Sequence, residues 1–290
     1  MIKKAIIPIA GLATRFLPLS RVVSKELWPL VDIPVIQYLI REAKESGIEE
    51  IIFVLSPGNK KVLDYISSSP KIERILKERK KEDLLAEVKK LQDLCSGIKF
   101  SYVLQKKPLG DGHAILQAAK HVKDEPVACM FGDDIIDGKE PAVLQLSKIF
   151  KTCQKPVISL TKLPKERISR YGVVGVEKIA NRLHKIKKII EKPSIEEAPS
   201  DLAIIGKYIL TPEVFFYLKK AKPSKKGEII LAEVINDHMI KEGKVIYGYE
   251  LEGEWLECGD KMKWLKSNVY LSLKHPKYGP ELKTYIKEIM

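Results

Sequence analysis

A chain of 290 residues, 45% of them hydrophobic, has enough apolar material for a full buried core, as one large α/β domain or as a core with a smaller lobe. Its formal net charge of +13 raises nucleic acid as a partner. However, only eight of the 51 basic residues are arginine, and lysines interleave with glutamates as in KERKKEDLLAEVKK, a solvated face rather than a phosphate-backbone footprint. The opening MIKKAIIPIA is too short for a signal peptide, and no later apolar run approaches the roughly eighteen residues that cross a bilayer. Cys95, Cys129, Cys153 and Cys258 are scattered with no CxxC pair, so the expectation is a cytoplasmic chain of reduced thiols, with no disulfide, no zinc, and neither membrane nor nucleic acid as partner.

In chain order, KKAIIPI reads as a strand, VIQYLIREAKESG as a helix and IEEIIFVLS as a strand. A helix near Lys60–Ile66, the strand KFSYVLQ, a helix from Asp111 and the strand PVACMFGDD follow. This alternation is the βαβ rhythm of a mainly parallel, Rossmann-like sheet with helices on both faces. Residues 71–94 interrupt it with apolar residues at helical spacing: Ile72, Ile75, Leu76, Leu84, Leu85, Val88 and Leu91. The second half turns β-rich in PVISLTK, YGVVGVEK, LHKIKKIIEK and DLAIIGKYIL, then helical near 212–220 and 228–242. From Lys261 the tail is helical, broken at Pro-Lys-Tyr-Gly. Its stripe of Trp264, Leu265, Val269 and Leu271 suits packing on the core or on a second subunit.

Functional loops in such a sheet lie at the strands' carboxyl ends. Three features fall there: the loop after Ile9, QKKPLGDGHA after Leu104, and Gly132-Asp133-Asp134 after Met130. The first, Ala10-Gly11-Leu12-Ala13-Thr14-Arg15, is neither a Walker A loop nor a three-glycine dinucleotide fingerprint. It is a turn whose backbone can approach phosphates, with Arg15 and Lys25 close behind it, and that suits a triphosphate. Taken singly, each polar candidate has a structural alternative: a helix N-cap for Asp133, surface charge for Glu191-Lys192, a solvated turn for Glu257 beside Trp255, and a packing role for His113.

The string AGLATRFLPLSRVVSKELWPLVDIPVIQY resembles the opening AGxGTRxLPxTxxxPKExLPxVDxPxIQY of the bacterial UTP:glucose-1-phosphate uridylyltransferases, within the sugar nucleotidyltransferases. The resemblance continues in family order through QKKPLGDGHAIL, GDD, YGVVGVE, IIEKP, LAIIGKYIL, GEIILAEVI and ECGDK, over nearly the whole chain. The insertion at 71–94 resembles one in the uridylyl branch. The resemblance implies one nucleotidyltransferase domain: about 1–140 as the nucleotide-binding half, about 141–260 as a β-rich sugar-phosphate half, and about 261–290 as a C-terminal helical tail. It implies a homo-oligomer, dimer or tetramer. It implies an enzyme that joins UTP to glucose 1-phosphate with Mg²⁺ and releases pyrophosphate.

On the same resemblance, Arg15 and Lys25 would hold the triphosphate, with Ala10 and Gly11 letting the main chain come close. Gln105 and Gly110 would read the pyrimidine edge. Gly172 and Glu191 would meet the sugar and Lys192 its phosphate, while Asp133 and Glu257 would take the metal. Arg15, Lys25, Asp133 and Lys192 form the catalytic set. No Ser/His/Asp or Cys/His arrangement supplies a nucleophile, so direct in-line displacement is the expected chemistry.

Four departures from the family pattern stand out: Ala13 for a loop glycine, Ser24 for a proline, Ile230 and Ala232 in place of polar residues, and Glu257 for aspartate. Two alternatives therefore stay open, a glucose-1-phosphate thymidylyltransferase and a catalytically impaired nucleotide-sugar-binding homologue with an assembly or regulatory role.

Overall fold

The computed structural model describes residues 1–224 and 227–290. Its strands are β1 (Lys4–Ile9), β2 (Pro29–Leu30), β3 (Ile33–Pro34), β4 (Glu50–Leu55), β5 (Lys99–Leu104), β6 (Val127–Met130) and β7 (Asp134–Asp137), then β8 (Val157–Lys162), β9 (Gly172–Ala180), β10 (Leu183–Glu191), β11 (Leu202–Leu210), β12 (Tyr247–Glu250) and β13 (Glu254–Glu257). Among the described residues, nine of them form one sheet in the order β5-β4-β1-β6-β11-β8-β12-β10-β9.

The first half of this sheet is parallel: β1 lies between β4 and β6, with Ile6 opposite Ile52 and Cys129. These strands are apolar on both faces because helices cover both sides. On one side, helix Val35–Glu45 packs Ile36, Leu39 and Ile40 with Val143 and Leu146 of helix Ala142–Cys153. On the other side lie helices Asp111–Gln117, Pro212–Lys220 and Leu231–Val234.

The expectation of a mainly parallel sheet holds for β5-β4-β1-β6 and fails beyond it. β11 runs antiparallel to both β6 and β8, and β10 antiparallel to β12 and β9. Only β12 and β8 restore a parallel pair there. For β9 and β10 the cause is local connection: they are joined across Asn181-Arg182, a tight link that permits only antiparallel pairing.

Residues 71–94 form two helices, Pro70–Glu78 and Glu82–Cys95, separated at Lys80 in the left-handed region, and neither buries a residue fully. The helix expected over 228–242 starts only at Leu231, because Ile229 pairs through its backbone with Leu109 and Gly112. Its last turns widen to a π-helix over Ile235–Ile240. The tail forms helices Lys261–Lys274 and Gly279–Ile289, and the expected apolar stripe lies wholly on the first. Trp264 and Leu271 pack inward, with Trp264 edge-on to Trp28 at 5.3 Å, whereas Leu265 and Val269 face outward with Met262. No described helix is long and apolar enough to cross a membrane. All four cysteines are free, Cys129 and Cys258 being buried.

After Gly132-Asp133 the chain leaves the sheet as β7 and pairs with β13, so that Glu257 stands opposite Asp134. This short ribbon brings residues more than 120 positions apart to the carboxyl end of β6.

Candidate active site

Two cavities of about 510 Å³ each open along that edge. One is walled by the loop after β1 (Ala10, Gly11, Ala13, Thr14), Lys25, Glu26, Gln105, Gly110 and Gly132. The other is walled by Arg15, Tyr171, Gly172, Glu191, Lys192, Trp255 and Glu257. They meet at a shared boundary of Asp111, Phe131 and Asp133. Every residue that the family resemblance nominates lies on one cavity or the other.

The loop after β1 turns through Ala13, which adopts φ 48 and ψ 42 ahead of the single turn Thr14–Phe16. That is left-handed backbone, so an alanine here bears strain of about 1 kcal/mol or more that a glycine would not. The turn is held from below by Phe16, buried and edge-on to Trp28 at 4.4 Å. Burying Phe16 leaves its neighbour Arg15 facing out, where Nη1 donates to the Gly259 carbonyl at 3.4 Å. Gly11 has a different reason to lack a side chain: a Cβ there meets nothing within 4 Å, so the fold leaves room beside it. Ser24, where the family has proline, keeps a proline-like φ of −63, and its buried hydroxyl finds no partner among the described residues.

Lys25 Nζ pairs with Asp133 Oδ2 at 2.6 Å. Burial disfavours the lysine's charge, but Asp133, with Glu26 and Asp134 nearby, outweighs it and holds the ammonium above its usual range. Burial equally opposes the Asp133 carboxylate, and Lys25 outweighs that too, so Asp133 stays ionised below the usual range. Asp133 precedes a strand and not a helix, which removes the N-cap alternative. Its neighbour Asp134 plays another part: it accepts from Trp255 Nε1 at 2.7 Å and from the Gly206 amide at 3.1 Å. Burial, then the charge of Asp133, pushes Asp134 up to about 7.

Glu257 is no solvated turn. Its Oε2 accepts from the Tyr171 hydroxyl at 2.5 Å and its Oε1 from Lys263. Asp133 Oδ2 and Glu257 Oε1 lie 3.1 and 3.4 Å from the point where a Cβ on Gly259 would stand, with Arg15 Nη1 at 3.5 Å. Two carboxylates and a guanidinium thus converge on one glycine. Further along, Lys192 Nζ pairs with Glu191 Oε1 at 3.1 Å, and Glu191 Oε2 lies 3.1 Å from the site a Cβ on Gly172 would occupy.

In the other cavity, Gln105 Nε2 donates to the Gly110 carbonyl at 2.9 Å and lies 3.0 Å from His113 Nδ1. His113 lines neither cavity and serves this loop. Gly110, at φ 95, has Ile229 O only 2.5 Å from a notional Cβ, so glycine is required there both by backbone and by space. Ile230 and Ala232, the two apolar departures, both line the second cavity.

Sequence reasoning did not single out Asp111, Phe131, Tyr171, Tyr208, Arg170 or Lys263, all of which line the second cavity. Asp111 carried a signal inside QKKPLGDGHA, as did Phe131, Tyr171 and Tyr208 inside PVACMFGDD, YGVVGVE and LAIIGKYIL; Arg170 and Lys263 lie outside those strings.

A family model described as nucleotidyl transferase matches residues 4–272. The chain is 38% identical over 288 residues to the UTP–glucose-1-phosphate uridylyltransferase of Staphylococcus haemolyticus, covering 99% of this chain and 98% of that one. Among solved structures, a UTP-bound UGPase from Acinetobacter baumannii aligns over 100% of both chains with TM-score 0.91 and 33% identity. A UDP-glucose pyrophosphorylase complexed with UDP-glucose aligns over 95% of this chain and 100% of the other, with TM-score 0.84 and 34% identity. A continuous match of this length and identity, on a fold whose two cavities meet at Asp133, places the chain in the nucleotidyl transferase family, among the UTP–glucose-1-phosphate uridylyltransferases.

Proposed function

We propose that the protein joins UTP to glucose 1-phosphate, forming UDP-glucose and pyrophosphate. The observation that carries this reading is the pair of cavities meeting at Asp133, with Arg15 and Lys25 beside the junction and Lys192 on the wall of the second cavity. The relatives named above supply the choice of uridine and glucose. Gln105, its amide nitrogen engaged by Gly110, presents its amide oxygen to the pyrimidine, and Gly11 lets the triphosphate approach the main chain. Glu191 and Gly172 hold the sugar, Lys192 its phosphate.

An oxygen of the sugar phosphate forms the new bond to the α-phosphorus as the bond to the β-phosphate breaks, and pyrophosphate departs. The attacking oxygen is already an anion at neutral pH, so no general base is needed. Neither cavity is lined by a cysteine or histidine among the described residues, which leaves the displacement without an obvious covalent relay. Lys25 and Arg15 offset charge on the triphosphate and the leaving pyrophosphate, and Lys192 orients the attacking phosphate.

Asp133 and Glu257 fit a Mg²⁺ ion: both are hard oxygen donors converging beside Gly259, and such an ion takes only one or two protein carboxylates along with substrate phosphates. Glu257 would exchange Tyr171 and Lys263 for the ion, and Asp133 would share it with Lys25. Asp134 is not among the groups nearest Gly259, its oxygens facing Trp255 and Gly206. When bound, the ion offsets the charge gathered between two phosphate-bearing substrates. The reading extends to a homo-oligomer, for which Met262, Leu265 and Val269 offer an exposed apolar face.

The test is pyrophosphate release with UTP or dTTP against a panel of hexose 1-phosphates at fixed Mg²⁺. Highest kcat/KM for UTP with glucose 1-phosphate is expected. A higher value for dTTP reassigns the base, and no release with any pair identifies a binding protein without catalysis.

A further inference from the structure

Asp111 lies on the boundary of both cavities and has no part in the reaction as derived above. Its Oδ1 accepts from the amides of Gly112 at 2.6 Å and Leu231 at 2.9 Å. Together with Ile229 N to Leu109 O at 2.8 Å and Gly112 N to Ile229 O at 2.9 Å, this fastens the segment carrying Ile230 and Ala232 to the loop carrying Gly110. One carboxylate oxygen is enough for that. No hydrogen bond from a described residue reaches the other oxygen, Oδ2.

The electrostatic surroundings of Asp111 differ from those of Asp133. No cation compensates it; burial, and then the like charges of Glu191 and Glu228, push its carboxyl up to about 6. Arg15, Lys25 and Lys192 lie elsewhere on the cavity walls, so a phosphate group beside Asp111 would meet repulsion without relief. A neutral donor meets none. The wall around Asp111 on the second cavity includes Tyr208, Glu191, Ile230 and Ala232, and at 230 and 232 the chain has apolar side chains that cannot hydrogen-bond a sugar. The charged acceptors on this wall are carboxylates, with the Tyr208 hydroxyl beside them.

We infer that Asp111 is a sugar-specificity residue: its Oδ2 accepts a hydrogen bond from a hydroxyl of the hexose, in the cavity it shares with Glu191, and takes over recognition that Ile230 and Ala232 cannot supply. This inference rests on the proposed function for the identity of the sugar nucleotide.

Titration calorimetry with UDP-glucose and with UDP reads it without requiring turnover. Asp111→Asn keeps an oxygen to accept from the Gly112 and Leu231 amides but replaces the second acceptor with a donor. A charge-assisted hydrogen bond is worth roughly ten- to a hundredfold in affinity. Asp111→Asn should therefore weaken UDP-glucose by about tenfold or more, with UDP binding within about twofold of the parent and an unfolding midpoint no lower than the parent's. UDP-sugars lacking one hydroxyl then identify the partner: one deoxy analogue should bind weakly to the parent and lose that penalty in Asp111→Ala. Equal weakening of UDP and UDP-glucose makes Asp111 a structural fastener and overturns the inference. So does unchanged UDP-glucose affinity, or a penalty that follows the ribose hydroxyls instead. A protein that binds UDP-glucose in the expected pattern but releases no pyrophosphate contradicts the proposed reaction and leaves this inference standing.

Discussion

Glu26, 2% exposed beneath the nucleotide cavity, shows how a single side chain makes this site sensitive to pH. Burial raises its carboxyl to about 7 despite the lowering effect of Lys25. A carboxyl raised in the folded state stabilises the fold fully below its unfolded value near 4.5, and that contribution is lost as pH rises through about 7. Glu26→Gln, which cannot ionise, should unfold at the same temperature as the parent at pH 4 and higher at pH 8. The gain there is on the order of 3 kcal/mol at most. Equal midpoints at pH 8 would show that the buried carboxylate is compensated by groups other than Lys25. Lys192 belongs to the same scale. Since it lines only the second cavity, Lys192→Ala should raise KM for glucose 1-phosphate roughly ten- to a hundredfold and leave KM for UTP nearly unchanged. A parallel rise in both constants would remove Lys192 from its assigned phosphate. Asp133→Asn should lower kcat about a hundredfold or more, because it removes the carboxylate offered to the metal. It should also lower the unfolding midpoint, because Lys25 loses its partner; near-normal turnover in a folded variant would sink the metal assignment.

At the scale of elements, the placement of the site depends on how strands meet. Lys207 of β11 is wholly buried, and its Nζ pairs with Glu42 Oε2 at 2.9 Å, while Glu42 Oε1 accepts from the Val143 amide at 3.2 Å. One ion pair thus ties the sheet to helices Val35–Glu45 and Ala142–Cys153. Lys207→Met should cost about 3–5 kcal/mol, because it strands a buried carboxylate. Adding Glu42→Gln, which keeps the acceptor for Val143, should recover much of that loss in a denaturant titration; no recovery would mean that shape, not charge, sets the cost. Neither residue was legible as a pair in the sequence, since nothing local links positions 165 residues apart. The parallel strands were legible because IIPI, IIFVL and VACM are continuous apolar runs buried on both faces. β7 and β13 were not: DIID and EWLE are four-residue segments whose pairing is set by distant chain. For the same reason Glu257 was recognisable by family likeness, while its pairing with Tyr171 and Lys263 was not. Asp111 was visible in its loop, but its meaning arises only when Leu231 arrives beside it.

Over the whole molecule, the parallel half supplies the loops that face one cavity, and β9 to β13 supply most of the other. In the proposed reaction the two anionic substrates would meet at Asp133, on the boundary of both cavities, with Lys25 and Arg15 beside it. The proposed reaction is a single displacement in which sugar phosphate attacks UTP directly. It is tested most directly by exchange of labelled pyrophosphate into UTP, run with Mg²⁺ in the presence and absence of UDP-glucose. Direct displacement predicts exchange only when UDP-glucose is present, since pyrophosphate can then re-form UTP by reversal of the reaction. Exchange with UTP alone would require a uridylyl-enzyme intermediate, and exchange in neither case would mean that the two cavities do not perform the transfer.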